Sequence, residues 1–377
     1  MDDSRSLQSC SSCDCDCDIN GIEQSSVQNR RVVFIKRPGE NNPPTVDCFQ
    51  CEDCEGPTLA DVKNGHCIVR TLYLSIDPAL RCRMNSRTKV DYLAAFEVGQ
   101  LIDGMEGVGV IEVPTESCHF KKGDLVTSVG RLWPWSKLFV ADQQDLAKVN
   151  LPPAYSPSTV LSCVGISGMA ALLAIRKKGE IDRNRPQTFI VSAAAGSVGC
   201  LAGQIARIEG CTKIIGICGS EEKCEILINE LGFDGAINYK MESVPDRLNV
   251  LAPEGIDIYL DNVGGFISDA VIAHMNRGGR VIICGQISVY NTDLPYPPPL
   301  PEKTAEIIAE KGIKRDRFIA LSYKDDIDAT VAQLSRWLQE NRLRSKETIY
   351  HGLDKAPKAF VDMMSGKNIG KMMVRVD

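Results

Sequence analysis

The chain of 377 residues predicts an α/β protein in which a mostly β region precedes a doubly wound parallel sheet. Three observations carry this expectation. Strand-like and helix-like segments alternate from Ser167 to Cys284, and short connections between them imply parallel strands with helices on both faces. A turn of small residues, Val191-Ser192-Ala193-Ala194-Ala195-Gly196-Ser197-Val198-Gly199, joins the first strand of that series to the helix after it. Ahead of it, between Arg30 and Val149, short apolar runs are separated by turn residues and lack helical spacing.

Taken in order, residues 1–27 are rich in Ser, Asp and Cys without periodicity, which predicts a disordered tail. Cys13, Cys15 and Cys17 alternate there with aspartates after Cys10, and Cys48, Cys51 and Cys54 follow at three-residue spacing. Neither cluster has the two-and-two pairing of a structural zinc site, so a tail and a loop with incidental thiols are expected. Strands are expected at 32–35, 67–74, 108–113, 124–128 and 138–140. The glycines of Gly104-Met105-Glu106-Gly107-Val108-Gly109 mark a strand that bends or admits another chain segment closely. Trp133 and Trp135 either line an apolar pocket or pack in the core.

The composition changes near Leu151-Pro152-Pro153, a candidate boundary. Beyond it, helices are expected at 167–177, 200–209, 221–231, 246–251 and 266–275, with strands at 188–191, 213–218, 235–238, 256–260 and 280–284. The proline-rich segment 291–301 is a linker or a lid. An amphipathic helix at 328–340 uses Val331, Leu334, Trp337 and Leu338, and 348–377 returns to strand and helix patterns.

Composition narrows the partners. The hydrophobic fraction of 44% suits a globular protein, no apolar run approaches a membrane span, and a net charge of −6 gives no reason to expect nucleic acid. A small molecule is the expected partner. Sixteen cysteines in so long a chain, several within apolar segments (Cys163, Cys200, Cys218, Cys284), read as buried small hydrophobes rather than a disulfide scaffold. With no basic segment followed by an apolar one at the start, a cytoplasmic protein is expected.

The small-residue turn is the main functional signal. Such a turn aims backbone N–H groups and a helix N-terminus at a dinucleotide pyrophosphate. Gly196 lets the phosphates approach and Gly199 lets the helix pack on the strand, while Ala194 replaces the first glycine of the strict pattern. About twenty residues further on, NAD-preferring folds place an acid against the ribose, but here Ile217-Cys218 runs into Gly219. With no carboxylate to repel a 2′-phosphate, and with Lys223, Ser220 and Tyr239 nearby, NADPH is expected over NADH.

Several stretches also resemble a known family: Arg70-Thr71-Leu72-Tyr73-Leu74-Ser75-Ile76-Asp77-Pro78, Arg81-Cys82-Arg83-Met84-Asn85, Asp261-Asn262-Val263-Gly264-Gly265, Cys284-Gly285-Gln286-Ile287-Ser288, Pro295-Tyr296-Pro297-Pro298-Pro299-Leu300 and Asn368-Ile369-Gly370-Lys371. The chain resembles the zinc-independent branch of the medium-chain dehydrogenase/reductase superfamily, over 30–376. That resemblance implies a GroES-like catalytic domain from 28–153 and 342–377 and a Rossmann domain at 154–341. It implies NADPH-dependent reduction of a carbon–carbon double bond conjugated to a ketone, most specifically in 15-oxo prostaglandins, as a monomer or homodimer. A general alkenal or quinone reductase is the alternative, and a dinucleotide-binding protein without activity is a third reading. Met105 stands where zinc-dependent relatives carry a histidine ligand, so no catalytic metal is expected.

By the same resemblance, Gly196, Ser197, Val198 and Gly199 contact the pyrophosphate, and Lys223 and Tyr239 hold the adenosine phosphate. Asn262, Cys284, Gly285, Gln286, Ile287 and Ser288 lie along the cofactor, and Phe318, Ile319, Ala320 and Asn368 complete its contacts. Tyr290 contacts the cofactor as well, and it is the expected catalytic donor, with Tyr92 a second tyrosine facing the substrate. Two segments depart from the family pattern: Ala79-Leu80 follows the Asp-Pro pair, and Arg131 and Leu132 replace part of an aromatic substrate wall. Arg131 is then a candidate for a substrate carboxylate.

Overall fold

Six strands form one all-parallel sheet, in the order Gly235–Asn238, Lys213–Cys218, Thr188–Ser192, Ile256–Asp261, Met275–Ile283 and Lys314–Arg317. This is a computed structural model, and it describes residues 28–88, 90, 93–128, 131–152 and 154–376. The tail 1–27, with Cys10, Cys13, Cys15 and Cys17, lies outside the described residues, as does Tyr92. The central strands are β-branched runs buried on both faces. Phe189 and Val191 join one core with Leu201 and Ile205, while Ile190 joins another with Ile215, Ile217 and Ile267. The first strand of the sheet has the second on one side and the fourth on the other. Strand order therefore reverses beside it, and the crevice at its C-terminal end is where such sheets bind ligands.

The edge strand Lys314–Arg317 and the helix before it, Glu302–Lys311, are absent from the expected elements. Lys-Arg-Asp-Arg carries no apolar alternation, and a sheet edge tolerates this because one side of it faces solvent.

The second sheet runs Glu347–His351, Lys371–Arg375, His66–Ser75, Gly107–Pro114, Leu125–Ser128 and Leu146–Lys148, with Leu138–Asp142 also pairing His66–Ser75. The chain's end thus returns to its beginning, Met373 opposite Ser75. The glycines of 104–109 make room for the tryptophans. A Cβ on Gly107 would lie 2.4 Å from the Trp133 ring, and one on Gly104 would lie 2.6 Å from Trp135 Nε1. Both indoles are core residues, and Trp133 Nε1 donates to Thr71 Oγ1 at 3.1 Å, so neither lines a pocket.

Two expectations need correction. Cys51 and Cys54 are not in a loop but on strand Phe49–Glu55, antiparallel to Gln28–Phe34, with Cys51 opposite Val32 and Cys54 opposite Asn29. Residues three apart on a strand face opposite sides, so these thiols cannot converge on one ion. Second, Val160–Gly179 is helical and both long and apolar enough to cross a membrane by length and composition. Most of it is buried inside the protein, where Leu161, Ala171 and Leu172 belong to the core beside the parallel sheet.

Candidate active site

The turn at the head of the first parallel strand is built by close backbone approach. Ala193 adopts a φ of 49°, Ala194 N donates to Ile217 O at 2.9 Å, and Gly196 N donates to Ala193 O at 2.9 Å. A Cβ on Gly199 would sit 2.4 Å from Ala193 O and 2.7 Å from Ala194 Cα, which is why the helix Ser197–Glu209 can start so near the strand. Its N-terminus opens on a cleft of about 510 Å³ between the two sheets. The C-terminal segment closes one side, where Gly370 N donates to Ala195 O at 2.7 Å.

The cleft brings together Gly196, Ser197, Val198 and Gly199 with Lys223 and Tyr239 at one end. Asn262, Ile287, Ser288 and Asn368 line its walls as well. Asn262 is fixed by its Nδ2, which donates to Ser192 O at 2.8 Å, and by its N–H, which donates to Ser192 Oγ at 2.9 Å. The buried Asp261 carboxylate accepts from Val263 N at 3.0 Å, Gly264 N at 2.8 Å and Tyr259 Oη at 2.7 Å, so the loop after the strand is tied at several points. Burial and that carboxylate hold the Tyr259 phenol well above its ordinary pKa.

Other expected residues stand behind the wall. Cys284 N and Gly285 N donate to Asp261 O at 2.9 and 3.1 Å, and Gln286 is buried with its amide facing Asp261. Phe318 is a core residue stacked on Tyr323 at 5.6 Å, with Ile319 and Ala320 following it, and none of these three lines the cleft. Tyr290 is buried in a cluster with Cys82, Val90, Leu93 and Val289, and Leu132 packs against it. Its hydroxyl lies over Gly285, 3.2 Å from where a Cβ there would be. The Tyr290 and Tyr296 rings meet edge to face at 5.7 Å and share a hydrogen bond, and burial pushes the Tyr296 phenol up to about 12.

Arg131 is not brought to the site. Its exposed side chain pairs with Asp145 at 2.9 Å on the surface, so it is unavailable to a substrate carboxylate. The buried arginines of the Arg81-Cys82-Arg83 motif do structural work instead. Arg81 Nε donates to Asn291 Oδ1 at 2.9 Å and its Nη2 to the Gly39 and Asn42 carbonyls at 2.8 Å, which anchors the segment next to Tyr290. Arg83 lies over the Phe96 ring at 3.9 Å.

Sequence reasoning missed a buried charged group on the cleft wall. Lys371, 2% exposed, donates to Asp77 Oδ1 at 2.6 Å and to Ser167 Oγ at 3.4 Å. Ser167 Oγ in turn accepts from Ser197 Oγ at 2.7 Å, at the first turn of the helix facing the cleft. Glu106 lies behind them and accepts from Ile166 N at 3.1 Å. Burial pushes its carboxyl up to about 8 against the pull of Lys371, with Asp77 adding to the rise. The one available signal was a lysine opening an otherwise apolar strand, Lys371-Met372-Met373-Val374.

A small-residue turn at the switch point of a parallel sheet, facing a cleft shared with a β sheet, defines a dinucleotide-dependent oxidoreductase architecture. Residues 197–315 match the family described as zinc-binding dehydrogenase, and 30–149 match the N-terminal domain of oxidoreductase. The chain is 32% identical to the NADPH-dependent curcumin reductase of Escherichia coli, over 94% of this chain and 98% of that one. It is 33% identical to prostaglandin reductase 1 of Mus musculus, over 88% and 95%. The solved structure of CurA from Vibrio vulnificus in complex with NADPH is 31% identical, with a TM-score of 0.82 over 92% of this chain and 99% of that one. The protein belongs to the medium-chain dehydrogenase/reductase family, in the group that holds these reductases.

The zinc in the family description finds no fitting donors. Met105 offers a thioether, the Glu106 carboxyl caps the helix Ile166–Ala174, and among the described residues no three His, Cys, Asp or Glu side chains converge on a metal position. A dinucleotide fits the cleft: Gly196, without a side chain, leaves the turn open to phosphates, and Gly199 lets the helix start against Ala193 and Ala194 so that its N-terminus faces them. At Gly219 a Cβ would lie 3.0 Å from the Tyr239 ring and 3.2 Å from Lys240 Cε, so the acid of an NAD-preferring fold would stand against both side chains, where the glycine leaves space.

Proposed function

We propose that the protein reduces the carbon–carbon double bond of α,β-unsaturated ketones with NADPH, with 15-oxo prostaglandins, reduced across carbons 13 and 14, as the leading substrates. Its class is NADPH-dependent oxidoreductase of the enone, quinone and curcumin reductase type. The observation that carries the finer reading is the Tyr290 hydroxyl, buried over Gly285 within an apolar cluster and backed by Tyr296.

NADPH supplies the hydride when bound. The N–H groups of 196–199 and the helix N-terminus hold the pyrophosphate, Lys223 and Tyr239 hold the 2′-phosphate, and Asn262, Ile287, Ser288 and Asn368 flank the rest. As hydride reaches the β-carbon, charge moves through the conjugated system to the carbonyl oxygen, where one well-placed donor lowers the barrier. Tyr290 is that donor, and the hydrogen bond with Tyr296 orients it. The apolar side chains around it, Leu132 among them, exclude water and accept a lipid chain.

Likeness to prostaglandin reductase 1 supports the 15-oxo prostaglandin reading, and within that reading we take prostaglandin reductase 2 as the particular reductase the chain resembles. A general alkenal or quinone reductase is the second reading. It is favoured by the surface pairing of Arg131 with Asp145, which leaves the expected cation for a substrate carboxylate out of the cleft. Loss of NADPH absorbance in the presence of 15-oxo prostaglandins, alkenals and quinones ranks these readings. The 15-oxo prostaglandins should give the highest kcat/KM, and Tyr290→Phe should lower turnover by about a hundredfold. Full turnover by Tyr290→Phe contradicts the assigned role.

A further inference from the structure

Two further side chains, Phe266 and Lys240, stand on the cleft wall. Phe266, in the first turn of the helix Gly265–Ala273, is 64% exposed, a large apolar ring left uncovered in a concave site. Its edge meets the Tyr239 ring with centroids 6.3 Å apart at 62°, so the two aromatics form one surface. Lys240 is the other. It is exposed, follows Tyr239, and runs its stem past Gly219 so that Cε and the Tyr239 hydroxyl both lie 3.2 Å from where a Cβ on Gly219 would be.

Lys240 and Lys223 converge on the same end of the cleft. Burial lowers the Lys223 pKa and repulsion from Lys240 adds to this, while Cys218 and Glu222 act in the opposite direction. Among the described residues neither lysine has a carboxylate within ion-pair distance, and Glu242, two residues beyond Lys240, is paired with Arg247. Lys223 Nζ donates to Gly366 O at 2.6 Å, across the mouth of the cleft. One of its three hydrogens orients it and two remain for another acceptor. Two converging ammonium groups with no carboxylate between them fit a dianion, and the missing side chain at Gly219 leaves the space for it.

We propose that Lys240 and Phe266 complete the seat of the cofactor's 2′-phosphoadenosine end, Lys240 sharing the 2′-phosphate with Lys223 and the Tyr239 hydroxyl while the purine lies against Phe266. The inference rests on the NADPH reading above and adds to it two residues, a division of labour between them, and a prediction that each recognises a different part of the ligand. Lys240 reads the phosphate and sets the preference for NADPH over NADH. Phe266 reads the base, which NADPH and NADH share.

Titration calorimetry with 2′,5′-ADP and with 5′-AMP, which differ in the 2′-phosphate and lack the nicotinamide, separates these roles. Lys240→Ala should weaken 2′,5′-ADP by about tenfold or more and leave 5′-AMP nearly unchanged, since a charge-assisted contact is lost only with the first. Lys240→Arg should recover most of the affinity. Phe266→Ala should weaken both nucleotides to a similar extent. Both side chains are exposed, so the variants should keep the wild-type thermal midpoint. Unchanged affinity for 2′,5′-ADP in Lys240→Ala overturns the proposal, as does unchanged affinity for both nucleotides in Phe266→Ala. Failure of the wild-type protein to bind NADPH overturns the cofactor reading itself, a different result from altered nucleotide selectivity in the variants.

Discussion

Replacing Glu106 by Gln should flatten the dependence of stability on pH. The carboxyl is buried among Ile166 N, Lys371 and Asp77, and burial pushes it up to about 8 from an ordinary value of 4.5. Between those two values the folded chain holds a proton that the unfolded chain has lost. Because the folded state binds more protons there, stability is greatest below the window and falls as pH rises through it. At 1.36 kcal/mol per pH unit the gap bounds the effect at about 5 kcal/mol, and relaxation around the new charge leaves about 2 to 3 kcal/mol. Glutamine keeps the volume and the acceptor for Ile166 N but does not titrate. Urea midpoints of both proteins from about pH 5 to pH 9 measure the difference directly, and every group other than Glu106 cancels to first order. The wild type should lose stability relative to Glu106→Gln as pH rises. A difference that stays constant across the range would refute the reasoning.

Three further outcomes follow from single contacts. Gly199→Ala puts a methyl 2.4 Å from Ala193 O, and since backbone cannot move aside, NADPH affinity measured by fluorescence titration should fall by more than about tenfold. Lys371→Met leaves Asp77 without its cation at the cleft wall; a loss of about 3 to 5 kcal/mol in urea unfolding is expected, and Lys371→Arg should restore part of it. Gly219→Asp places a carboxylate against Tyr239 and Lys240, so the ratio of kcat/KM for NADPH to that for NADH should fall by about a hundredfold.

The parallel sheet was legible because strands buried on both faces must be continuous apolar runs, as Thr188–Ser192 and Lys213–Cys218 are. The edge strand Lys314–Arg317 and the strand Phe49–Glu55 were not, because each has a face in solvent and carries charges or thiols where alternation would have shown. The turn was legible because only small residues permit the approach of Gly199 to Ala193. Arg131 was misplaced: adjacency to Trp133 in sequence says nothing about direction, and its side chain turns outward to Asp145. The Glu106, Asp77 and Lys371 group was invisible because its members meet only when the C-terminal strand returns to pair with His66–Ser75. Lys240 and Phe266 look like ordinary surface residues until the cleft brings them beside Gly219 and Tyr239.

NADPH deuterated at the transferred position shows where the hydride goes. Turnover of a 15-oxo prostaglandin with this cofactor, followed by NMR of the product, should place deuterium on the carbon β to the ketone and leave the carbonyl intact. Deuterium on a newly formed alcohol carbon would contradict enone reduction.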